Sequence, residues 1–136
     1  MPLYICNAKT GSLDAAAKEH IANAITDIHC LVTGAPPSFV HAVFFEDSPQ
    51  FPREDKRVFV RGSIRKGRSD EQKAQIAERI QAALIEYGGL DQSETGVVIR
   101  ETPASWVLEG GEIMPEPGDE AEWFAAQEAR RQAEGV

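Results

Sequence analysis

The sequence lacks a long hydrophobic run, an excess of basic residues and a set of paired cysteines. No apolar stretch approaches the roughly 20 residues of a membrane-spanning helix, so we expect no membrane partner. Lys and Arg number 14 against 22 Asp and Glu, a net charge of −8, which disfavours nucleic acid as a partner. The two cysteines, Cys6 and Cys30, are too few for a secreted disulfide framework.

The first residues also lack the features of a secretion signal. The segment MPLYICNAKTG has neither a basic start nor a long apolar stretch. Together with the low cysteine content, this predicts a cytoplasmic protein. The chain has 136 residues, 42% of them hydrophobic and 26% charged, which is typical of a globular domain. We therefore expect a single domain over residues 1–136.

Motifs that hold cofactors or activate nucleophiles are missing as well. The sequence contains no glycine-rich phosphate loop and no nucleophile elbow, and its His and Cys residues do not have zinc spacing. His29 and Cys30 are adjacent, and adjacent helical side chains point about 100° apart, so they do not form a Cys–His pair. We expect neither a cofactor nor a metal ion.

Hydrophobic patterning predicts four strands and two long helices. The strands are short runs of β-branched and aromatic residues at 3–8, 39–45, 58–64 and 96–99. Apolar residues at helical spacing predict a first helix over about 13–31, capped by Ser12. A second helix is predicted to begin at Ser69 and to stop at Gly88-Gly89. The charged segment 46–57, which contains two prolines, is predicted to be an exposed connection.

The strand–helix–strand order occurs twice, and the two copies match in detail. Gly11 corresponds to Gly67, and Ile25 to Ile80. This regularity predicts an internal duplication of a β-α-β unit, with copies at 2–46 and 57–103. A crossover helix favours parallel pairing of the two strands that it joins.

The predicted fold class is α+β, with a four-stranded mixed sheet, two helices on one face, and a C-terminal extension over 104–136. The end of that extension, from about 119 to 134, is rich in Ala and Glu and predicted to be helical. Two helices leave the other face of the sheet uncovered. Either the extension or another subunit must therefore cover it, and we expect oligomerisation.

Pro2 is a candidate acid or base. Removal of Met1 would leave its nitrogen as a secondary amine, and a terminal amine titrates close enough to neutrality to move protons. Many proteins begin with Met-Pro, so an ordinary N-terminal proline is the alternative interpretation.

Further candidates lie at the ends of the helices. Arg65 and Arg68 flank a glycine where the third strand meets the second helix, and two guanidinium groups there could hold a small carboxylate. Exposed turn arginines are the alternative. His29 could donate to the same carboxylate or simply end the first helix. Glu109 belongs to a run of six acidic residues between 109 and 122, which is ordinarily a solvated surface.

Several motifs together resemble the tautomerase superfamily, in particular the branch of cis-3-chloroacrylic acid dehalogenase. They are Met1-Pro2, the duplicated unit, Arg-x-Gly-Arg at 65–68, Ala-Ile-Thr-Asp-x-His at 24–29, and the stretch MPEPGDEAEWF at 114–124. The resemblance runs from about Pro2 to Phe124.

The resemblance implies a homotrimer that acts on a small carboxylate substrate. It implies that Pro2 is the catalytic acid or base and that Glu109 activates water. The substrate-binding positions of the family are matched by His29, the backbone amide of Phe39, Arg65 and Arg68.

Two positions depart from the dehalogenase pattern. Val98 replaces a tyrosine that acts on water with the glutamate, and Ile64 stands where the dehalogenase has histidine. Because valine cannot orient water, we expect keto–enol tautomerisation of a 2-oxo or unsaturated acid rather than hydrolytic dehalogenation. The alternatives are a dehalogenase or hydratase with another water-orienting group, and a catalytically silent trimeric scaffold.

Overall fold

Two β-α-β units build the fold, as seen in a computed structural model that describes residues 1–49 and 55–135. The first unit consists of β1 (Leu3–Ala8), α1 (Ala15–Thr33) and β2 (His41–Glu46). The second consists of β3 (Val58–Arg65), α2 (Asp70–Gly88) and β4 (Thr95–Thr102). A short hairpin, β5 (Leu108–Glu109) and β6 (Glu112–Ile113), precedes the last helix, α3 (Glu120–Ala133).

The four long strands form one mixed sheet in the order β2-β1-β3-β4. Each unit contributes a parallel pair, and the units join through the antiparallel pairing of β1 with β3. That central register ends with Leu3 opposite Ser63, which brings the start of the chain beside the end of β3. The predicted fold class is confirmed.

The core lies between the sheet and the two long helices. Alternate residues of the central strands are fully buried, including Tyr4, Cys6 and Val60. Isoleucines of α1 and α2, such as Ile21 and Ile76, pack onto them. Burying each such side chain stabilises the fold by about 1.5–3 kcal/mol.

The ends of the first helix differ from the prediction. It begins at Ala15 rather than at 13, because a turn through Gly11 (φ +81°) brings Asp14, not Ser12, to the capping position. The Asp14 carboxylate accepts from the amide of Ala17 at 2.8 Å.

The second helix begins as predicted. Ser69 and Gln72 exchange hydrogen bonds in a capping box. The helix extends to Gly88 and is capped by Gly89 in a left-handed conformation.

Several strand ends also differ from the prediction, and β4 is longer than the predicted 96–99 at both ends. The consecutive prolines Pro36 and Pro37 lead into a 3₁₀ turn that contains Phe39, so β2 begins only at His41. Arg65 is the last residue of β3 rather than part of the following turn. Of the predicted connection 46–57, residue 46 belongs to β2, and 50–54 lie outside the described residues.

The C-terminal extension forms the predicted helix but leaves the outer face of the sheet open. Val43 and Phe45 of β2 keep 39% and 46% of their surface exposed. No helix among the described residues is long and apolar enough to cross a membrane.

Candidate active site

The start of the chain is buried beside the hairpin. Pro2 is fully buried, and its carbonyl accepts from the amide of His41 at 2.9 Å. The amine of Met1 contacts the carboxylate of Glu109, which β5 carries. Met1 and Glu109, which are 108 positions apart in the numbering, therefore meet at one point.

The surroundings of this terminus lower the basicity of an amine. Burial, followed by the charge of Arg65, lowers the pKa of the Met1 amine to about 6. Contact with Glu109 favours the protonated form, yet the net direction is downward. The Met1 amine is therefore substantially neutral at pH 7.

Arg65 is one of the most buried charged residues, with 2% of its side chain exposed. Its guanidinium donates to the carbonyl of Pro115 and, at 2.8 Å, to Oε1 of Glu120. It also lies 5.4 Å from the centre of the Phe39 ring, a cation–π distance. The alternative of a solvated turn arginine is wrong for this residue.

Arg68 approaches the same point from the turn before α2. It donates to the carbonyl of Thr33, the last residue of α1, at 3.1 Å. Its Nη2 lies 3.6 Å from the same oxygen of Glu120. Burial and the nearby charge of Arg65 lower the pKa of Arg68, which shows how close the two cations are.

His29 lies in the last turns of α1 and is 2% exposed. Its Nδ1 forms a 2.8 Å hydrogen bond with the hydroxyl of Tyr4 on β1. Burial, with the charges of Arg68, Arg65 and the chain terminus, lowers the pKa of His29 to about 4. The imidazole is therefore neutral at pH 7.

Phe39, whose backbone amide was predicted to contact the substrate, has both its amide and its ring engaged within the protein. The amide donates to the carbonyl of Pro36 at 3.1 Å within the 3₁₀ turn, so the expected free amide is absent. The ring packs on Trp123 and Phe124 of α3, with centroids 5.8 and 5.5 Å away.

An apolar cavity of about 320 Å³ opens next to the terminus. It is lined by Met1, Leu3, His41, Val107, Leu108 and Glu109. Nε2 of His41 lies 4.0 Å from Oε1 of Glu109 at its mouth. Within the described ranges, no group of three or more His, Cys, Asp or Glu side chains could hold a metal ion.

Comparison with known proteins agrees with this architecture. The family model described as "Putative oxalocrotonate tautomerase enzyme" matches residues 1–129. The chain belongs to this family, within the tautomerase superfamily. Among curated proteins, none matches the sequence.

Solved structures extend the comparison. The crystal structure of N1, a member of the cis-3-chloroacrylic acid dehalogenase family, has a TM-score of 0.83 and 26% identity, and the match covers 99% of this chain and 100% of that one. A wild-type fused 4-OT symmetric trimer has a TM-score of 0.71 and 23% identity, over 83% and 95% of the chains. Macrophage migration inhibitory factor of Toxoplasma gondii shares the fold at 15% identity, with a TM-score of 0.68 over 82% and 98%. This tautomerase-superfamily chain therefore lies in the dehalogenase-like branch.

Val98 and Ile64 are the two positions that were predicted to depart from the dehalogenase pattern. Val97 and Ile99 pack against the helix-side core, so Val98 between them faces the other side of the sheet. Ile64 is fully buried in the core. Neither position offers a polar atom.

Sequence analysis did not identify two residues of the candidate site, Tyr4 and Glu120. Tyr4 was only one residue of a predicted strand, and nothing in the sequence paired it with His29 over 25 positions. Glu120 did not stand out from the other acidic residues between 109 and 122. The motif MPEPGDEAEWF at 114–124, which carries part of the family resemblance, contains it and could have indicated it.

Proposed function

We propose that this protein moves a proton between carbon and oxygen of a small 2-oxo or unsaturated carboxylate, with the N-terminal proline as acid or base. The observation that carries the proposal is a buried arginine pair bridged by the carboxylate of Glu120. The charge of one of them, Arg65, also lowers the pKa of the amine at the chain terminus. A small acid held by the arginines would present its reacting carbon to that amine.

Arg65 and Arg68 would bind the substrate carboxylate and stabilise the negative charge that develops in the enolate. Burial raises the pKa of Tyr4, so its hydroxyl is protonated and can donate to Nδ1 of His29. The ring proton of a neutral His29 would then be on Nε2, available to a substrate oxygen.

Catalysis by Pro2 would require removal of Met1, because the nitrogen of Pro2 in a Met1–Pro2 peptide bond is an amide nitrogen without basicity. The environment that lowers the pKa of the Met1 amine would act on a proline amine in the same direction. Glu109 would be an auxiliary acid or base beside it.

The test is conversion of the enol of phenylpyruvate to its keto form by protein whose intact mass shows processed Pro2. We expect turnover, with partial activity and a shifted pH profile in Pro2→Ala, in which a primary amine replaces the secondary amine of proline. If no 2-oxo acid is turned over by the processed protein, the proposal is wrong and a silent scaffold remains.

A homotrimer in the cytoplasm is part of the proposal. Exposed Val43 and Phe45 on the sheet, and Trp106 beside the hairpin with 76% of its surface exposed, leave apolar surface for a second copy to cover. The fused 4-OT of similar fold is a symmetric trimer. Light scattering at micromolar concentration should give three times the chain mass, whereas a monomer mass contradicts this assembly.

Hydration or dehalogenation of a cis-3-haloacrylate is the second candidate, favoured by the position of Glu109. Its carboxylate lies at the apolar cavity, 4.0 Å from His41, which could orient water in place of the missing tyrosine. We expect chloride release from cis-3-chloroacrylate to be slower than tautomerisation, because Val98 offers no hydrogen bond. Faster chloride release in the wild-type protein, lost in His41→Ala, would reverse that order.

A further inference from the structure

The arginine pair already holds a carboxylate that belongs to the chain. Oε1 of Glu120 lies 2.8 Å from Nη2 of Arg65 and 3.6 Å from Nη2 of Arg68. Its second oxygen accepts from the amide of Gly118 at 2.9 Å. The carboxylate of Glu120 therefore occupies the place at the arginine pair that the proposed function gives to the substrate carboxylate.

The charge balance explains why Glu120 lies there. A buried guanidinium without a counter-ion is costly, so removal of a partner from such a pair is strongly destabilising. Burial is the largest single influence and raises the pKa of Glu120, but the hydrogen bond from Arg65, the charge of Arg65 and the hydrogen bonds from backbone amides together outweigh it, so the net pKa is lowered. Glu120 is therefore ionised at pH 7 and neutralises part of the pair.

The element that carries Glu120 is lightly attached. Glu120 is the first residue of α3, and no residue of this helix is buried. Besides Glu120, Trp123 and Phe124 of this helix pack on Phe39. Nε1 of Trp123 also donates to the carbonyl of Ile113 at 2.9 Å, and Arg130 pairs with Glu112. Withdrawal of the carboxylate requires no disruption of the core.

We propose that Glu120 competes with the substrate carboxylate for Arg65 and Arg68, and that it thereby sets how tightly any carboxylate binds to the arginine pair. This inference rests on the proposed binding of substrate by the arginine pair. A competing internal group lowers the affinity of every carboxylate by the same factor. Only acids that gain further contacts, such as a 2-oxo group bonded to His29, would then bind at moderate concentrations.

The experiment measures binding of 3-phenylpropanoate, an acid without a 2-oxo group, by calorimetry on the processed full-length protein. Glu120→Gln replaces an ionised competitor with a neutral one, so we expect about tenfold tighter binding. Glu122→Gln is the matched control, because Glu122 lies in the same first turn of α3 but is exposed. Its affinity should stay within about twofold of the wild type.

Thermal melting distinguishes competition from a purely structural role. If Glu120 competes, Glu120→Gln melts below the wild type without ligand, and saturating 3-phenylpropanoate raises its melting temperature more than that of the wild type. If Glu120 only holds Arg65 in place, the substitution weakens binding and the acid restores nothing. Unchanged or weaker binding in Glu120→Gln, or no binding in any variant, overturns the inference.

Kinetics separate this inference from the proposed function. With competition, KM of Glu120→Gln for phenylpyruvate falls by a similar factor while kcat is retained. Tighter binding of 3-phenylpropanoate without turnover of any 2-oxo acid would leave Glu120 as a competitor and reject proton transfer. Turnover with an unchanged KM would reject only the role of Glu120.

Discussion

The junction between β3 and α2 carries Arg65 and Arg68, whereas the matching junction of the first unit carries Lys9 and Ser12 around Gly11. Both junctions turn through a glycine with positive φ. Lys9 and Ser12 lie at the surface or half-buried there, while the arginines are nearly inaccessible and face Glu120. The second junction meets the C-terminal segment through the bond from Arg65 to Pro115. There the same local fold holds two buried cations beneath a segment from elsewhere in the chain.

The helices differ in a complementary way. His29 follows Ile25 by one turn, and Leu84 follows Ile80 by the same spacing. Both are buried, but His29 bonds to Tyr4, while Leu84 packs in the apolar core. The first unit therefore supplies the polar helix residue and the chain terminus, and the second supplies the cations.

The largest expected effect tests the terminus, which only the first unit can provide. The corresponding start of the second unit lies inside the chain, where the amide of Arg57 bonds to Glu94 at 2.8 Å. A residue that stays attached before Pro2 should lower kcat/KM for phenylpyruvate at least about 10²-fold, since acid–base catalysis typically supplies 10²–10⁴. Intact mass identifies each species, and one extra residue at the other end of the chain is the control. Equal turnover by both species would contradict a proline mechanism.

The next prediction tests the difference between His29 of the first unit and Leu84 of the second. Because the folded pKa of His29 is about 4, below its ordinary 6.5, unfolded protein binds more protons as the pH falls. The contribution of neutral His29 to the free energy of unfolding is therefore fully present above about pH 6.5. About 3 kcal/mol of this free energy should be lost as the pH falls to 4.

His29→Leu copies the second unit and should flatten this dependence, although loss of the Tyr4 bond lowers stability at every pH. Urea unfolding at pH 7 and pH 4.5 measures both effects. A wild-type slope that persists in His29→Leu would assign the titration to another group.

A third prediction compares the two junctions. Arg68→Ala removes the proposed charge-assisted hydrogen bond to the substrate carboxylate, which is worth roughly 1.5–3 kcal/mol. We therefore expect kcat/KM to fall about 10- to 150-fold. Lys9→Ala removes a charge at the equivalent junction and should change kcat/KM less than about twofold. Circular dichroism checks that each variant is folded. The check matters most for Arg65→Ala, because Arg65 is more buried than Arg68. Equal effects of Arg68→Ala and Lys9→Ala would show that only net charge matters.

The smallest effect concerns the helix caps. Ser69→Ala breaks a reciprocal capping box, whereas Asp14→Ala breaks one observed bond and removes a negative charge at the helix terminus. Each should lower the free energy of unfolding by about 1 kcal/mol in urea titrations. A loss well above 2 kcal/mol at either site would indicate a role beyond capping.

Local pattern carried most of the fold prediction. Alternation in β1 and the isoleucine stripes of α1 and α2 depend on neighbours in the chain, so the sequence predicts them directly. The errors occurred at the ends of helices and strands, where a single residue decides the boundary. Asp14 rather than Ser12 caps α1, and a 3₁₀ turn delays the start of β2 to His41. Cap choice depends on how the preceding turn orients the chain, which periodicity does not record.

The sequence by itself determined the duplicated β-α-β order, the mixed sheet and the identity of the cationic residues. Only the tertiary structure decided that Glu120 lies between Arg65 and Arg68, and that Tyr4 pairs with His29. These contacts join residues 25 to 55 positions apart. Their formation depends on how sheet, helix and C-terminal segment pack together, because burial makes each charge or polar group select a partner that is near in space rather than in sequence.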